Sequence, residues 1–147
     1  MSISVIENTT FPELLEFASK SEDVRIVLAV AENVYTPTEV LDRLSKNMLT
    51  CVRETIAKSY NVSSATLNHL SQDGEWVVRH SVACNPKTSN LTLDKLSRDP
   101  NVNVRVSVAY NQNTCPVTLK RLMQDKEEVV RTTAQSTLNS VDPFGEG

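Results

Sequence analysis

The chain is short of aromatic residues, glycines, cysteines and positive charge, and each shortage excludes a class of function. Aromatic residues are 5% of its 147 residues, so any core must be filled by Leu, Val, Ile and Ala. The three glycines lie at positions 74, 145 and 147, which leaves no glycine-rich loop to cradle a phosphate. Cys51, Cys84 and Cys115 are odd in number, far apart and contain no CxxC pair, so no metal or cluster site, and no cofactor, is expected. The opening MSISVIENTTFPELL has neither the basic start nor the apolar run of a signal peptide. Free thiols without an export signal fit a reducing cytoplasm. No apolar stretch approaches the length that crosses a bilayer, so no membrane partner is expected. A formal net charge of −3 disfavours nonspecific binding to nucleic acid or to a membrane surface.

What the chain has in abundance is repetition. Val104-Arg105-Val106-Ser107-Val108-Ala109 has relatives in Val24-Arg25…Leu28-Ala29, Val52-Arg53…Ile56-Ala57, Val78-Arg79…Val82-Ala83 and Val130-Arg131…Ala134. The arginines at 25, 53, 79, 105 and 131 are separated by steps of 28, 26, 26 and 26. A regular step in this range marks a stacked repeat array. Within each unit the Val and the next aliphatic stand four apart and an Ala follows, which is a core stripe at helical period. A second helix then carries leucines three apart: Leu41 and Leu44, Leu67 and Leu70, Leu93 and Leu96, Leu119 and Leu122. Neither helix is long enough to stand alone, so stacking must bury both stripes. The fold class is all-α, with about five two-helix repeats of about 26 residues.

In chain order, residues 1–9 read as a flexible leader. Thr10-Phe11-Pro12-Glu13 reads as a helix start with Thr10 as cap and Pro12 in the first turn, opening a half-repeat that covers the N-terminal end of the stack. The first full unit, from about Ser21 to Asn47, holds two extra residues between its arginine and its leucines, which accounts for the single step of 28. Its second helix opens at Thr36-Pro37-Thr38-Glu39 by the same capping logic. Units of the regular length follow to Asp73, Asp99 and Asp125, then a final helix to about Asn139. One repeat domain over 10–140 is expected, followed by a flexible tail over 141–147.

The run Asp99-x4-Val104-Arg105-x2-Val108-Ala109-x-Asn111, then Leu119-x2-Leu122-x2-Asp125, resembles the variant leucine-rich repeat and the wider HEAT-like class of α-solenoids. Asn85-Pro86…Thr88…Leu93…Leu96…Asp99 matches best. The resemblance covers residues 10–140 and implies a short right-handed superhelix. It also implies a scaffold that binds proteins, with nucleic-acid binding or catalysis in some relatives only. Ser59 and Asn47 depart from the pattern. Nothing matches the cysteine-rich iron–sulfur segment of some variant leucine-rich proteins. No motif carries over the catalytic residues of HEAT-like DNA glycosylases, so no enzyme is expected.

Three columns of residues are candidates for function. The arginines (Arg25, Arg53, Arg79, Arg105, Arg131) either grip phosphates or acidic peptides, or form a structural ladder by pairing with the residue six places earlier: Asn47, Asp73, Asp99 and Asp125. HEAT-like resemblance implies the ladder. Asn33, Asn85 and Asn111 stand where the first helix ends and fit a left-handed turn or bonds to the last free carbonyls. The third column lies half a turn from the core stripe: Trp76, His80 and Cys84, then Val102, Val106 and Tyr110, with Thr50, Glu54 and Lys58 before them and Ile26 and Val30 in the first unit. Side by side these would make an apolar patch of the kind that marks an interface. The alternative is that second helices, or a second copy of the chain, cover it. His80 and Cys84 are four apart, but two ligands make a weak metal site, and a Cys–His nucleophile needs a third, orienting group. The function expected is a non-catalytic scaffold for a protein or peptide, a second copy included, held at Trp76, His80, Val102, Val106 and Tyr110 with Arg79 and Arg105 at the rim. The alternative is a nucleic-acid module using the arginine column.

Overall fold

The structure is a computed structural model that describes residues 2–141, and among these it contains eleven α-helices and no strand. They are α1 (Ile3–Asn8), α2 (Pro12–Ala18), α3 (Val24–Glu32), α4 (Thr38–Leu44), α5 (Thr50–Lys58), α6 (Ser64–Leu70), α7 (Trp76–Cys84), α8 (Asn90–Leu96), α9 (Val102–Tyr110), α10 (Pro116–Leu122) and α11 (Glu128–Val141). The first helices of successive repeats, α1, α3, α5, α7, α9 and α11, contact one another in order. Each second helix packs on the first helix that follows it, so α2 meets α3 and α10 meets α11. The result is an α-solenoid.

The core is a set of columns that run along the stack. Leu15, Leu41, Leu67, Leu93 and Leu119 are fully buried, one per repeat. Val52, Val78, Val104 and Val130 form a second such column, and Ala31, Ala57, Ala83 and Ala109 a third. The small alanines let neighbouring first helices approach, and each buried leucine contributes about 2 kcal/mol of apolar transfer.

The helix starts correct the reading of the first unit. α3, α5, α7, α9 and α11 begin at 24, 50, 76, 102 and 128, and α2, α4, α6, α8 and α10 at 12, 38, 64, 90 and 116. The period is therefore uniform, and the first unit contains no insertion. The residue equivalent to Arg53 is Val27, which is buried, and Arg25 is outside the column. Val24-Arg25 imitates the motif two residues early.

Two further expectations change. Within the expected flexible leader, Ile3–Asn8 form α1, whose Ile6 is fully buried and which packs on α3, so the N-terminal half-repeat is a helix pair. Neither Thr10 nor Thr36 caps a second helix: the cap positions are Phe11 and Pro37, without side-chain bonds. Thr36 instead donates its hydroxyl back to Val30 O at the end of α3, as Thr88 does to Val82 O and Thr114 to Val108 O. Side-chain caps are made by Asp23, Ser63, Ser89 and Asn101. Of the expected tail, 142–147 lies outside the described residues.

Candidate binding face and the arginine ladder

The arginine column is a ladder inside the stack, with its rungs one repeat away from where the sequence puts them. Arg79 Nε donates to Asp99 Oδ2 at 2.6 Å and Nη2 to Asp99 Oδ1 at 3.1 Å, twenty residues on. The residue six places back, Asp73, contributes its backbone carbonyl instead, which accepts from Arg79 Nη1 at 2.7 Å. Arg53 makes the same set with Asp73 and with Asn47 O and Met48 O, and Arg105 with Asp125, Asp99 O and Pro100 O. Arg131 keeps the carbonyl half, donating to Asp125 O and Lys126 O. The aspartates are used twice, because each Oδ1 also accepts the backbone N–H two residues on, from Glu75, Asn101 and Glu127. Arg25 has a different role: its side chain is 72% exposed and pairs with its own neighbour Asp23.

Charge within the ladder is tuned accordingly. At Asp73 burial pushes the carboxyl up, but hydrogen bonds from Arg53 and from Glu75 N–H outweigh it and hold it below its ordinary value. The Arg105 hydrogen bonds hold Asp125 low against the same opposing burial. Reciprocally, the carboxylates raise Arg53, Arg79 and Arg105 above the ordinary guanidinium value. Arg79 and Arg105 therefore have their donors engaged within the stack and do not rim the outer face, and the column offers phosphates no strip of open guanidinium groups.

The asparagine column is structural as well. Asn111 is buried, donates Nδ2 to Ala83 O at 2.8 Å and Asn85 O at 3.1 Å in the preceding repeat, and accepts Asn113 N–H at Oδ1. Asn85 does the same to Ala57 O and Ser59 O, and Asn33 to Ile6 O and Thr9 O. Their backbone is extended, with φ near −70°, so no left-handed turn is involved.

The apolar face is open. Trp76 is 40% exposed and Tyr110 74% exposed, while Val102, Val106 and His80 are half-buried, so the second helices leave this side of α7 and α9 uncovered. A groove of about 480 Å³ runs between them, lined by Glu54, Trp76, Val77, His80, Asn103, Val106 and Ser107. His80 is held in it from three sides. Its Nδ1 lies 2.8 Å from Ser107 Oγ, and Ser107 Oγ itself donates to Asn103 O at 3.0 Å. On the other side of the ring, Nε2 lies 3.7 Å from Cys84 Sγ. The Trp76 ring meets the imidazole edge-on with centroids 6.2 Å apart. Ser107 and Asn103 were invisible as site residues in the sequence; Ser81, one repeat before Ser107, gives the same small polar residue, which reads as ordinary helix surface.

The first unit does not extend the face as expected. Ile26 and Val30 align with the core column, Val30 being fully buried, and the residues equivalent to Trp76, His80 and Cys84 are Val24, Leu28 and Glu32.

The second helices carry a self-compensated charged surface. Arg43 reaches back to Glu16 at 3.1 Å, Lys95 to Asn68 at 3.3 Å and Arg121 to Asp94 at 2.7 Å. The Thr118 hydroxyl, followed by Arg121 and Arg98, holds the Asp94 carboxyl far below the usual carboxylate range. Among the described residues no group of three or more His, Cys, Asp or Glu side chains could hold a metal ion, and no helix is long and apolar enough to cross a membrane.

No family profile matches the sequence, and no curated protein matches it. Among solved structures, one described as a leucine-rich repeat variant with a novel repetitive structural motif is similar at a TM-score of 0.74 and 24% sequence identity. The match covers 92% of this chain and 54% of that protein, so the chain spans about half its length. Eleven helices stacked in register and this structural likeness together identify the fold: the chain is an α-solenoid like that of the leucine-rich repeat variant.

Proposed function

We propose that the chain is a non-catalytic scaffold that binds a protein or peptide segment on the open face of α7 and α9. The observation that carries this reading is the placement of Trp76 and Tyr110. The one tryptophan and a tyrosine stand exposed along a face whose inner side is a fully packed core. Amphipathic rings of this kind supply large contact area at low entropic cost and are where binding energy concentrates. Val102 and Val106 add apolar floor between them. His80, fixed by Ser107, presents a defined polar edge, and the groove beside it is long enough for an inserted side chain. Repeat scaffolds suit this use because the stack holds the face rigid before the partner arrives.

Selection of peptides from a random library on the full chain tests it. Peptides so obtained are expected to lose at least tenfold in affinity on Trp76→Ala or Tyr110→Ala, with a salt dependence of Kd much below that of phosphate recognition. Peptides that bind the double variant as well as the wild type would overturn the assignment of the face. Steep salt dependence with a nucleic-acid ligand would move the function to the alternative class.

A further inference from the structure

The repeat in which the ladder is interrupted leaves a cavity whose occupant the other repeats specify. At the ladder position of the first repeat the arginine is replaced by Val27, and twenty residues on, the aspartate is replaced by Asn47. Both members of the rung change together. Between them lies a cavity of about 210 Å³, lined by Ser21, Glu22, Val24, Val27, Asn47, Met48, Leu49 and Val52. In the next repeat the corresponding space is crossed by the Arg53 side chain on its way from α5 to Asp73, with Nη1 on the carbonyls of Asn47 and Met48.

The turn that supplies those carbonyls is preserved. Ser21 N–H donates to Ala18 O at 3.0 Å, as Asn47 N–H does to Leu44 O at 3.0 Å and Asp73 N–H to Leu70 O at 3.1 Å. Asp23 N–H bonds Ser21 Oγ just as Leu49 N–H bonds Asn47 Oδ1 and Glu75 N–H bonds Asp73 Oδ1. Ser21 O and Glu22 O therefore stand where Asn47 O and Met48 O receive a guanidinium. Asp73 Oδ1 accepts both Glu75 N–H and Arg53 Nη2, so Asn47 Oδ1, already accepting Leu49 N–H, has the same second lone pair for a donor. What Asn47 lacks is the negative charge and the second acceptor, since its Nδ2 is a donor where Asp73 Oδ2 receives Arg53 Nε. That charge is present at the rim: Glu22 is an exposed carboxylate at a position that holds Met48, Gly74 and Pro100 in the later repeats. Val24, Val27, Leu49 and Val52 supply apolar wall for an alkyl stem.

We propose that this cavity is a binding site for an arginine side chain presented by a partner. The guanidinium would sit on Ser21 O, Glu22 O and Asn47 Oδ1 with Glu22 as counter-charge, taking in trans the two carbonyls and one of the two side-chain acceptors that the other repeats use in cis. A planar fork with five donors fits this set of acceptors, whereas an ammonium ion reaches only part of it. The site is separate from the face of α7 and α9, and either can fail without the other.

The test is a titration of the full chain with Nα-acetyl-arginine amide, followed residue by residue in amide NMR spectra, with Nα-acetyl-lysine amide as comparator. Saturable shifts are expected at the amides of 21–24 and 47–49, with the arginine compound binding about tenfold more tightly than the lysine compound. Glu22→Gln is expected to weaken it about tenfold. Val27→Arg combined with Asn47→Asp restores the ladder's own rung and is expected to abolish the titration while leaving Trp76 emission unchanged. If that double variant does not fold, Glu22→Gln and the lysine comparison still decide. Absence of saturable shifts at these amides, equal affinity for the two compounds, or binding undiminished in a folded double variant would overturn the proposal. Shifts at the same amides on concentrating the protein alone would assign the cavity to a second copy and overturn it equally.

Discussion

Arg105 and Asp125 are joined across a repeat boundary by two parallel hydrogen bonds, Nε to Oδ2 at 2.7 Å and Nη2 to Oδ1 at 3.0 Å, with side chains only 7% and 10% exposed. The third nitrogen, Nη1, is held by Asp99 O and Pro100 O, so one guanidinium ties together two turns that are a full repeat apart. Bidentate geometry and shielding from water make this a strong contact, unlike the exposed pairs elsewhere on the surface.

Breaking one rung is therefore expected to be costly. Asp125→Ala leaves Arg105 charged, shielded and without its carboxylate, and is expected to lower the unfolding free energy by about 3 kcal/mol in urea titration. Asp23→Asn, which keeps the cap of α3 and loses only the exposed pair with Arg25, is expected to shift the same titration far less. Equal effects of the two would contradict the ladder.

The ladder also sets a response to acid. Asp73 and Asp125 have folded-state pKa values below their unfolded ones, so their contribution is fully present above the unfolded carboxylate value, near 4. It is lost as pH falls through the lowered folded value. Unfolding free energy is expected to be flat from pH 7 to about 5 and to fall steeply below about 4. The Asp73→Asn and Asp125→Asn double variant is expected to show a shallower fall in the same pH series.

The asparagine column has one missing member, and filling it is expected to stabilise the protein. Ser59 stands where Asn33, Asn85 and Asn111 donate to two carbonyls of the repeat before. In Ser59→Asn the new Nδ2 falls beside the carbonyls of Ala31 and Asn33 and the new Oδ1 takes over the Asn61 N–H that Ser59 Oγ now accepts. A gain of about 1 kcal/mol is expected by thermal or urea unfolding. Conversely, Asn111→Ala strands Ala83 O and Asn85 O and is expected to cost about 2 kcal/mol.

Core and surface leucines two residues apart separate cleanly. Leu93 is fully buried and Leu91 is 65% exposed on the same helix α8. Leu93→Ala is expected to cost about 3 kcal/mol by cavity formation, and Leu91→Ala less than about 0.5 kcal/mol.

The array was legible in the sequence because its columns are set by packing: Ala recurs between close first helices, and Leu recurs at the buried second-helix positions. The first unit misled because Val24-Arg25 and Leu28-Ala29 copy the motif out of register while the true position carries Val27. Leu41 and Leu44, spaced correctly from Leu67 and Leu70, held the right register all along. The rung partner was also misplaced. Asp73 is close to Arg79 in sequence and does touch it, but through its carbonyl, and residue types do not say which oxygen is used. The joint change to Val27 and Asn47 is the one sequence trace of the true pairing. At the face, composition could name Trp76 and Tyr110 but not their exposure, which depends on which side of α7 and α9 the second helices occupy. Ser107 could not be found, because its role exists only once α9 lies beside His80.

The most direct measurement of the central claim is acrylamide quenching of Trp76 emission, made on the protein alone over a range of dilutions and again with a peptide selected from the library. The expected result is red-shifted, readily quenched emission at every dilution, turning blue and protected when the peptide binds. Blue-shifted, protected emission from the protein alone, or peptide binding that leaves Trp76 as open as before, would contradict the account.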